Sequence, residues 1–214
     1  MMSSDRYQPL KREYAANAGD YDRRWNRYVA ASVDKTLAEL QLEPGTRLLD
    51  IGCGTGVLLE QLVLRQPEAR LYGGDLSNAM LSVACDRLGP SAGLVQAAGE
   101  ALPLAEASID VLVSSSAFHF VRDPGKALNE ARRVLRPGGR LVLTDWCRDF
   151  LTMRMLDGYL KAFDAAHHHT YGSEQFAQLL DEHGFEKVRI SRYKISWFWG
   201  LFTATAIRPT DRIP

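Results

Sequence analysis

Cysteine is scarce in this chain. Cys53, Cys85 and Cys147 are spread singly, with no CxxC pair. An odd, scattered set of three excludes a disulfide framework and a paired-thiol metal site, and suits a reduced, cytoplasmic compartment. Charge of one sign is missing too: 26 Lys and Arg balance 26 Asp and Glu. That balance argues against a nucleic-acid binder or a basic membrane-surface protein. Long apolar runs are absent. ISWFWGLFTATAI (Ile195–Ile207) reaches only 13 residues, where a membrane-spanning helix needs about 20, and MMSSDRYQPLKREY lacks the apolar core of a signal peptide. A soluble protein with no integral membrane segment is expected. No Ser/His/Asp or Cys/His constellation offers a nucleophile. The run His167-His168-His169 is no metal site, because consecutive residues on a helix point about 100° apart and cannot converge on one ion.

What is present is the material of one domain: 214 residues, 46% of them hydrophobic. Helical spacing of Tyr14, Tyr21, Trp25 and Tyr28, continued by VAASVDKTLAEL, predicts an N-terminal helical cap over residues 1–42. A core over residues 43–146 then alternates short apolar strands with helices. The strands are RLLDIG, ARLYGGDL, GLVQAA, IDVLVSSS and RLVLTDW. Between them lie GVLLEQLVLRQ, a helix capped by Ser77, and a helix from Asp123 to a Pro-Gly-Gly stop ending at Gly139. This alternation marks a parallel α/β sheet covered on both faces. Residues 147–172 read as a helical insertion. Residues 173–207 read as a helix capped by Ser173 and stopped at Gly184, followed by two strands. The strands EKVRISRYK and ISWFWGLFTATAI lie too close for a crossover, so they must pair antiparallel. As a strand, ISWFWGL needs no membrane role.

The segment LLDIGCGTGVLL places Gly52, Gly54 and Gly56 between a strand and a helix. Bare backbone there admits a ligand at the carboxyl edge of the sheet. Asp75 ends the next strand, 23 residues after Gly52, a spacing suited to accepting both hydroxyls of a ribose. A nicotinamide dinucleotide and S-adenosylmethionine both answer to these features. The spacing is G-x-G-x-G rather than G-x-G-x-x-G, and Asp50 stands just before the loop. A carboxylate is unhelpful to a diphosphate but suits a ligand with a cationic end.

LLDIGCGTG, GGDLS, EALPL and SIDVLVSSSAFHFVRDPGKALNEARRVLRPGGRLVL together resemble the class I S-adenosylmethionine-dependent methyltransferases. The pattern is similar to the small-molecule branch that includes the ubiquinone/menaquinone C-methyltransferases. The resemblance runs from about Tyr14 to Ile207. It implies a Rossmann-like three-layer sandwich around a seven-stranded, mostly parallel sheet with an antiparallel last strand. It also implies site roles. Asp50, Gly52, Cys53, Gly54 and Gly56 would hold the methionine part of S-adenosyl-L-methionine. Asp75 would take the ribose and Leu76 the adenine, and Ser115 would face the transferable methyl. Tyr21, in YDRRW, would cover the cofactor. The family's acid that reads the adenine amino group is replaced by Ala98, which leaves backbone groups around Ala98 and Gly99, or the side chain of Glu100. His119 would orient the acceptor or take its proton; the plainer reading is a helix-start histidine bonded to backbone.

Methyl transfer from a sulfonium is an in-line displacement, so positioning and water exclusion can carry much of it. Tyr14, Tyr21, Trp25, Phe118, His119, Trp146, Tyr159, Phe163 and Tyr171 are the expected acceptor-side aromatics. They suit a small, hydrophobic or planar acceptor, in a monomer or homodimer with no nucleic-acid partner. A catalytically silent cofactor-binding subunit that regulates a partner is the alternative. A nicotinamide-dependent oxidoreductase is a distant third.

Overall fold

The structure is a computed structural model that describes residues 7–163 and 169–210. Seven strands form one sheet in the order β3-β2-β1-β4-β5-β7-β6. They are β1 (Arg47–Ile51), β2 (Arg70–Asp75), β3 (Ala92–Gln96), β4 (Ile109–Ser115), β5 (Leu135–Trp146), β6 (Glu186–Lys194) and β7 (Gly200–Ile207). β1 to β5 are mutually parallel, and β7 runs antiparallel to both of its neighbours. The antiparallel last strand expected from the short β6–β7 connection is therefore present.

Helices α1 (Gln8–Asn17), α2 (Tyr21–Ala38), α3 (Val57–Arg65), α4 (Asn78–Leu88), α5 (Pro124–Val134), α6 (Leu151–Phe163) and α7 (Ser173–Glu182) complete the chain. One face of the sheet is covered by α2, α3 and α4, around Val33, Leu37, Leu59, Leu62 and Ala84. The other is covered by α5 and α7, around Leu128, Ala131, Phe176 and Leu180. These are the three layers. Tyr7 and Leu10, on and just before α1, join Tyr14, Leu76 and Phe120 in a small separate cluster.

Local chemistry explains most boundaries. Ser77 Oγ accepts from the Met80 amide and Asp123 Oδ1 from the Lys126 amide, each capping its helix as expected. Three expectations need correction. The helix beginning at Asp123 stops at Val134 rather than running to Gly139, and β5 starts at once. Pro137 disfavours helix at its own position and at Arg136; the register shifts between Ile109 and Val111 absorb the Pro-Gly-Gly stretch. At α7 the N-cap is Gly172, not Ser173. The Ser173 hydroxyl is engaged instead by Asp149 Oδ2 at 2.5 Å. Finally, the last strand begins only at Gly200, so Ile195–Trp199 form the β6–β7 turn. Of the histidine run, His167 and His168 lie outside the described residues, and the His169 amide donates to the His119 carbonyl at 3.2 Å.

The order reverses between β1 and β4. A crevice opens at such a switch point, beyond the carboxyl ends of the strands, because successive connections leave to opposite faces. Phe176 is fully buried among Phe118, Tyr171 and Phe202 on the α7 side of the sheet, away from that crevice. Phe176→Ala is expected to cost about 3–5 kcal/mol of stability, read as a lowered urea midpoint.

Candidate active site

The carboxyl ends of β1, β2 and β4 wall a cleft floored by the glycine loop. Gly52 and Cys53 both donate their amides to the Gly74 carbonyl, at 2.7 and 3.1 Å, which ties the loop to β2. Gly52 has φ +75°, and a Cβ there would sit 2.3 Å from Ala117 Cβ. Neither the conformation nor the space tolerates a side chain. Gly54 donates its amide to Asp75 Oδ2 at 2.9 Å, and Ser77 donates to Asp75 Oδ1 at 2.8 Å. The backbone thus aims the Asp75 carboxylate across the loop.

Asp50 is 2% exposed, and its Oδ1 has no hydrogen-bond partner. Burial, with the Asp75 charge adding to it, pushes its carboxyl up to about 8. Burial likewise raises Asp75, against the amides that favour its charged form. Two acids therefore face one cleft, and the more buried one lacks a counter-charge. At the far end, the Tyr7 hydroxyl donates to Glu100 Oε1 and accepts from the Arg122 amide at 3.0 Å. Glu100 Oε2 is buried with no partner.

Most of the expected cofactor residues come together here: Tyr21, Asp50, Gly52, Cys53, Gly54, Asp75, Leu76, Gly99, Glu100 and Ser115 line the cleft. Gly56 and Ala98 do not. Gly56 is the left-handed N-cap of α3, and a Cβ on it would meet Leu88 and Ala84. Ala98 is turned into a bridge with Ala101. Ser115 Oγ accepts from Thr36 Oγ1 at 3.3 Å. Thr55, beside the loop, donates to Asp22 of α2 at 2.7 Å, and Asp22 is paired with Arg87. Helix α2 is thus fastened to the loop.

A second cavity, of about 270 Å³, adjoins the first and shares Tyr14, Tyr21, Ser116 and Phe120 with it. Its walls are aromatic: Trp25 and Tyr28 of α2, Trp146 at the end of β5, and Trp199 before β7. Trp146 donates its indole N–H to Tyr28 Oη at 2.8 Å, and the Tyr28 hydroxyl lies 2.8 Å from Ser116 Oγ. His119 is buried, stacked on Trp146 at 4.0 Å. Asp145 grips it twice, Oδ2 accepting from the His119 amide at 2.9 Å and Oδ1 lying 2.7 Å from Nδ1. Asp145 Oδ1 also accepts from the Trp146 amide at 2.7 Å. A carboxylate that already accepts two amides makes Nδ1 the protonated ring nitrogen. The plainer reading of His119, a backbone-bonded helix-start residue, is accordingly incomplete.

Several expected aromatics lie elsewhere. Phe118 reaches the wall of the first cavity from the core, where it and Tyr171 pack against Phe176. Tyr159 and Phe163 are 61% and 76% exposed. Tyr28, expected only as part of the N-terminal helix, and Trp199, expected within the last strand, join the aromatic wall as well. For Trp199 the aromatic run WFWG, ending in a glycine, is the signal in the sequence. Among the described residues no three His, Cys, Asp or Glu side chains gather as a metal site, and no helix is long and apolar enough to cross a membrane.

A family model described as a methyltransferase domain matches residues 49–143, the segment that carries the glycine loop and Asp75. An uncharacterized methyltransferase of Bacillus subtilis, YdaC, is 30% identical over 123 residues, which are 55% of this chain and 68% of that protein. The chain belongs to the class I S-adenosylmethionine-dependent methyltransferases. The malonyl-[acyl-carrier protein] O-methyltransferase of Methylococcus capsulatus is 36% identical over 154 residues, 69% of this chain and 54% of that one. A ubiquinone/menaquinone biosynthesis C-methyltransferase of Syntrophotalea carbinolica is 38% identical over 128 residues, 58% and 51% of the two. This methyltransferase chain thus spans about half the length of the first curated relatives it matches. In fold it is similar to a chain of the Haloferax volcanii complex between the Trm112 methyltransferase activator and a methyltransferase. The TM-score is 0.81 at 18% identity, over 92% of this chain and 98% of that one.

The raised Asp50 carboxyl has a thermal consequence. An acid whose folded-state pKa lies above its unfolded value binds more protons when folded, so its contribution is full below the unfolded value and lost as pH rises. The ligand-free protein is expected to lose melting temperature progressively from about pH 4 to about pH 8. Asp50→Asn should flatten that decline and raise the melting temperature at pH 8, as measured by scanning calorimetry.

Proposed function

We propose that this chain transfers the methyl group of S-adenosylmethionine to a small, hydrophobic or aromatic acceptor. The observation that carries the reading is the buried Asp50 carboxylate, unpartnered at Oδ1, at the edge of a glycine-floored cleft that adjoins an aromatic cavity. The residues present fit the cofactor. Asp50 would take its ammonium, which supplies the missing counter-charge, and the backbone of Gly52, Cys53 and Gly54 would pass close to the methionine chain. Asp75, already aimed by two amides, would accept the ribose hydroxyls, and Leu76 would lie on the adenine. With Ala98 in place of the family's acid, the unpartnered Glu100 Oε2 would accept from the adenine amino group. When bound, the cofactor supplies a methyl group on a positively charged sulfur, a ready electrophile.

The chain's own residues then position and shield. Trp25, Tyr28, Trp146 and Trp199 would hold a planar acceptor and keep water out. Tyr21, which lines both cavities, would cover the junction between them. Asp145 fixes His119 in the tautomer whose Nε2 carries a lone pair, the form that can accept a proton from the acceptor. The silent-subunit reading draws on one feature, the alanine at position 98.

Calorimetric titration with S-adenosylmethionine tests the cofactor assignment. Asp75→Ala is expected to weaken binding about tenfold or more, and Glu100→Gln about fivefold, the value of one hydrogen bond. Tritiated cofactor with a panel of acceptors tests the reaction. Label should enter planar phenols or quinols; label confined to polar amines overturns the acceptor class, and binding without turnover on any acceptor supports the silent subunit. If His119 takes a proton, His119→Gln should lower kcat by about 10²–10⁴-fold with cofactor affinity unchanged. Asp145→Asn should follow it in the same direction, with a smaller loss.

A further inference from the structure

Helix α6 turns an apolar face to solvent. Leu151, Met155, Tyr159 and Phe163 are 70%, 69%, 61% and 76% exposed. They recur every fourth residue, so at about 100° per residue they share an arc of roughly 120° along the whole helix. The helix is otherwise engaged: Met153 and Asp157 are buried, and Leu156 and Leu160 wall the aromatic cavity. Trp197, in the β6–β7 turn, is 80% exposed. That turn is tied to the first turn of α6 by Thr152 Oγ1, which donates to the Phe198 carbonyl at 2.6 Å. The largest exposed apolar side chains thus gather, Leu64 of α3 apart, on two connected elements. A monomeric soluble protein rarely leaves so large an apolar face uncovered.

The charges around this face decide its partner. Arg154 and Lys161 fall together on one border of the apolar arc, and Lys194 precedes the turn. Against these three cations α6 carries a single acid, Asp157, which is buried and paired with Lys161. Arg154 makes no ion pair among the described residues. An apolar stripe bordered by Arg and Lys, with Tyr159 within it and Trp197 on the adjoining turn, matches a helix lying in the plane of an anionic bilayer surface. The other border of the stripe, Leu156 and Leu160, leads into the aromatic cavity.

We propose that α6 and the Trp197 turn dock this protein on an anionic lipid surface, with the mouth of the aromatic cavity beside the membrane. The docking stands on the exposed face alone. Its further meaning, that the acceptor is lipid-soluble and enters from the bilayer, rests on the proposed methyl transfer.

Flotation of the full, cofactor-free chain with vesicles separates the two. Binding is expected to vesicles of phosphatidylcholine with phosphatidylglycerol, and to weaken as salt is raised. The double variant Met155→Asp, Phe163→Asp should reduce binding by more than about tenfold. Its affinity for S-adenosylmethionine should stay at the wild-type value, showing that it folds. Arg154→Gln should weaken binding about fivefold on anionic vesicles and leave pure phosphatidylcholine unaffected. Wild-type protein that stays with the unbound fraction, or variants that bind as well as wild type, overturns the proposal. So does a dimer in sedimentation velocity that the double variant abolishes without any vesicle binding, which would assign the face to a second copy of the chain. No outcome of the flotation depends on catalysis, so a failed methylation assay leaves the docking result standing.

Discussion

The placement of two carboxylates inside one glycine-lined cleft constrains the rest of this molecule. Asp50 ends its stay in β1 where the chain must turn, and Asp75 ends β2 beside it. Burying such groups is costly unless each is paired or solvated. The protein solves half of that problem itself: backbone amides of Gly54 and Ser77 satisfy Asp75. It leaves Asp50 Oδ1 unsatisfied. A ligand bearing a cation and a diol relieves both acids, so the free protein is destabilised by the groups that would confer affinity. Gly52 and Gly54, both at positive φ, follow from the same demand, because the loop must curl tightly and leave the space between the acids open, whereas Gly56 admits α4 against the start of α3.

How much of this was legible in the sequence varies with the range of the interaction. Strand–loop–helix units are local, so periodicity, caps and glycines point to the parallel sheet, its antiparallel ending, the glycine loop and its two acids, whereas Tyr21, Leu76, Gly99, Glu100 and Ser115 are expected only from the family resemblance. The errors were of two kinds. Boundary errors arose where a neighbour competed for a capping group, as Asp149 does for Ser173, or where a proline ended a helix before the expected glycines. Role errors arose where contact is non-local. Phe118 and Trp146 look alike as aromatics after a strand, yet one faces α7 and the other faces α2. Only the packing of α2 against β5 and the β6–β7 turn brings Trp25, Tyr28, Trp146 and Trp199 together. Glu100 is a further case. Its carboxylate reaches the cleft because Tyr7, more than 90 residues away in sequence, holds it there.

Under the proposed function the two cavities would divide the work between precision and adaptability. The cofactor side is built from backbone: amides, positive-φ glycines and strand ends fix its shape, and substitution there is penalised by collisions such as that of a Gly52 Cβ with Ala117. The proposed acceptor side is built from side chains on α2, the end of β5, α6 and a turn, so most of its wall lies outside the sheet. A family can therefore keep one methyl donor while its acceptors diverge. The named relatives are a case in point, a malonyl-[acyl-carrier protein] O-methyltransferase and a ubiquinone/menaquinone biosynthesis C-methyltransferase being 36% and 38% identical to this chain.

Within the acceptor side, Asp145 links the two halves of the design. It closes β5, so the sheet fixes its position, and it spends its lone pairs on the His119 amide, the His119 ring and the Trp146 amide. One carboxylate thereby orients the imidazole and holds the backbone of the tryptophan whose indole stacks upon it. Trp146 in turn orders Tyr28 through its indole N–H, and Tyr28 reaches Ser116, a non-glycine residue held at φ +56° at the end of β4. Strain of that kind persists only where surrounding bonds over-determine it. Here the bonds run from Asp145 to the wall shared by both cavities, so the geometry of the aromatic cavity is set by the ends of β4 and β5, beside the strand ends that shape the glycine-floored cleft. A change at Asp145 should be felt at the aromatic wall as well as at the histidine, whereas a change at Trp199, which hangs on a turn, should alter the wall alone.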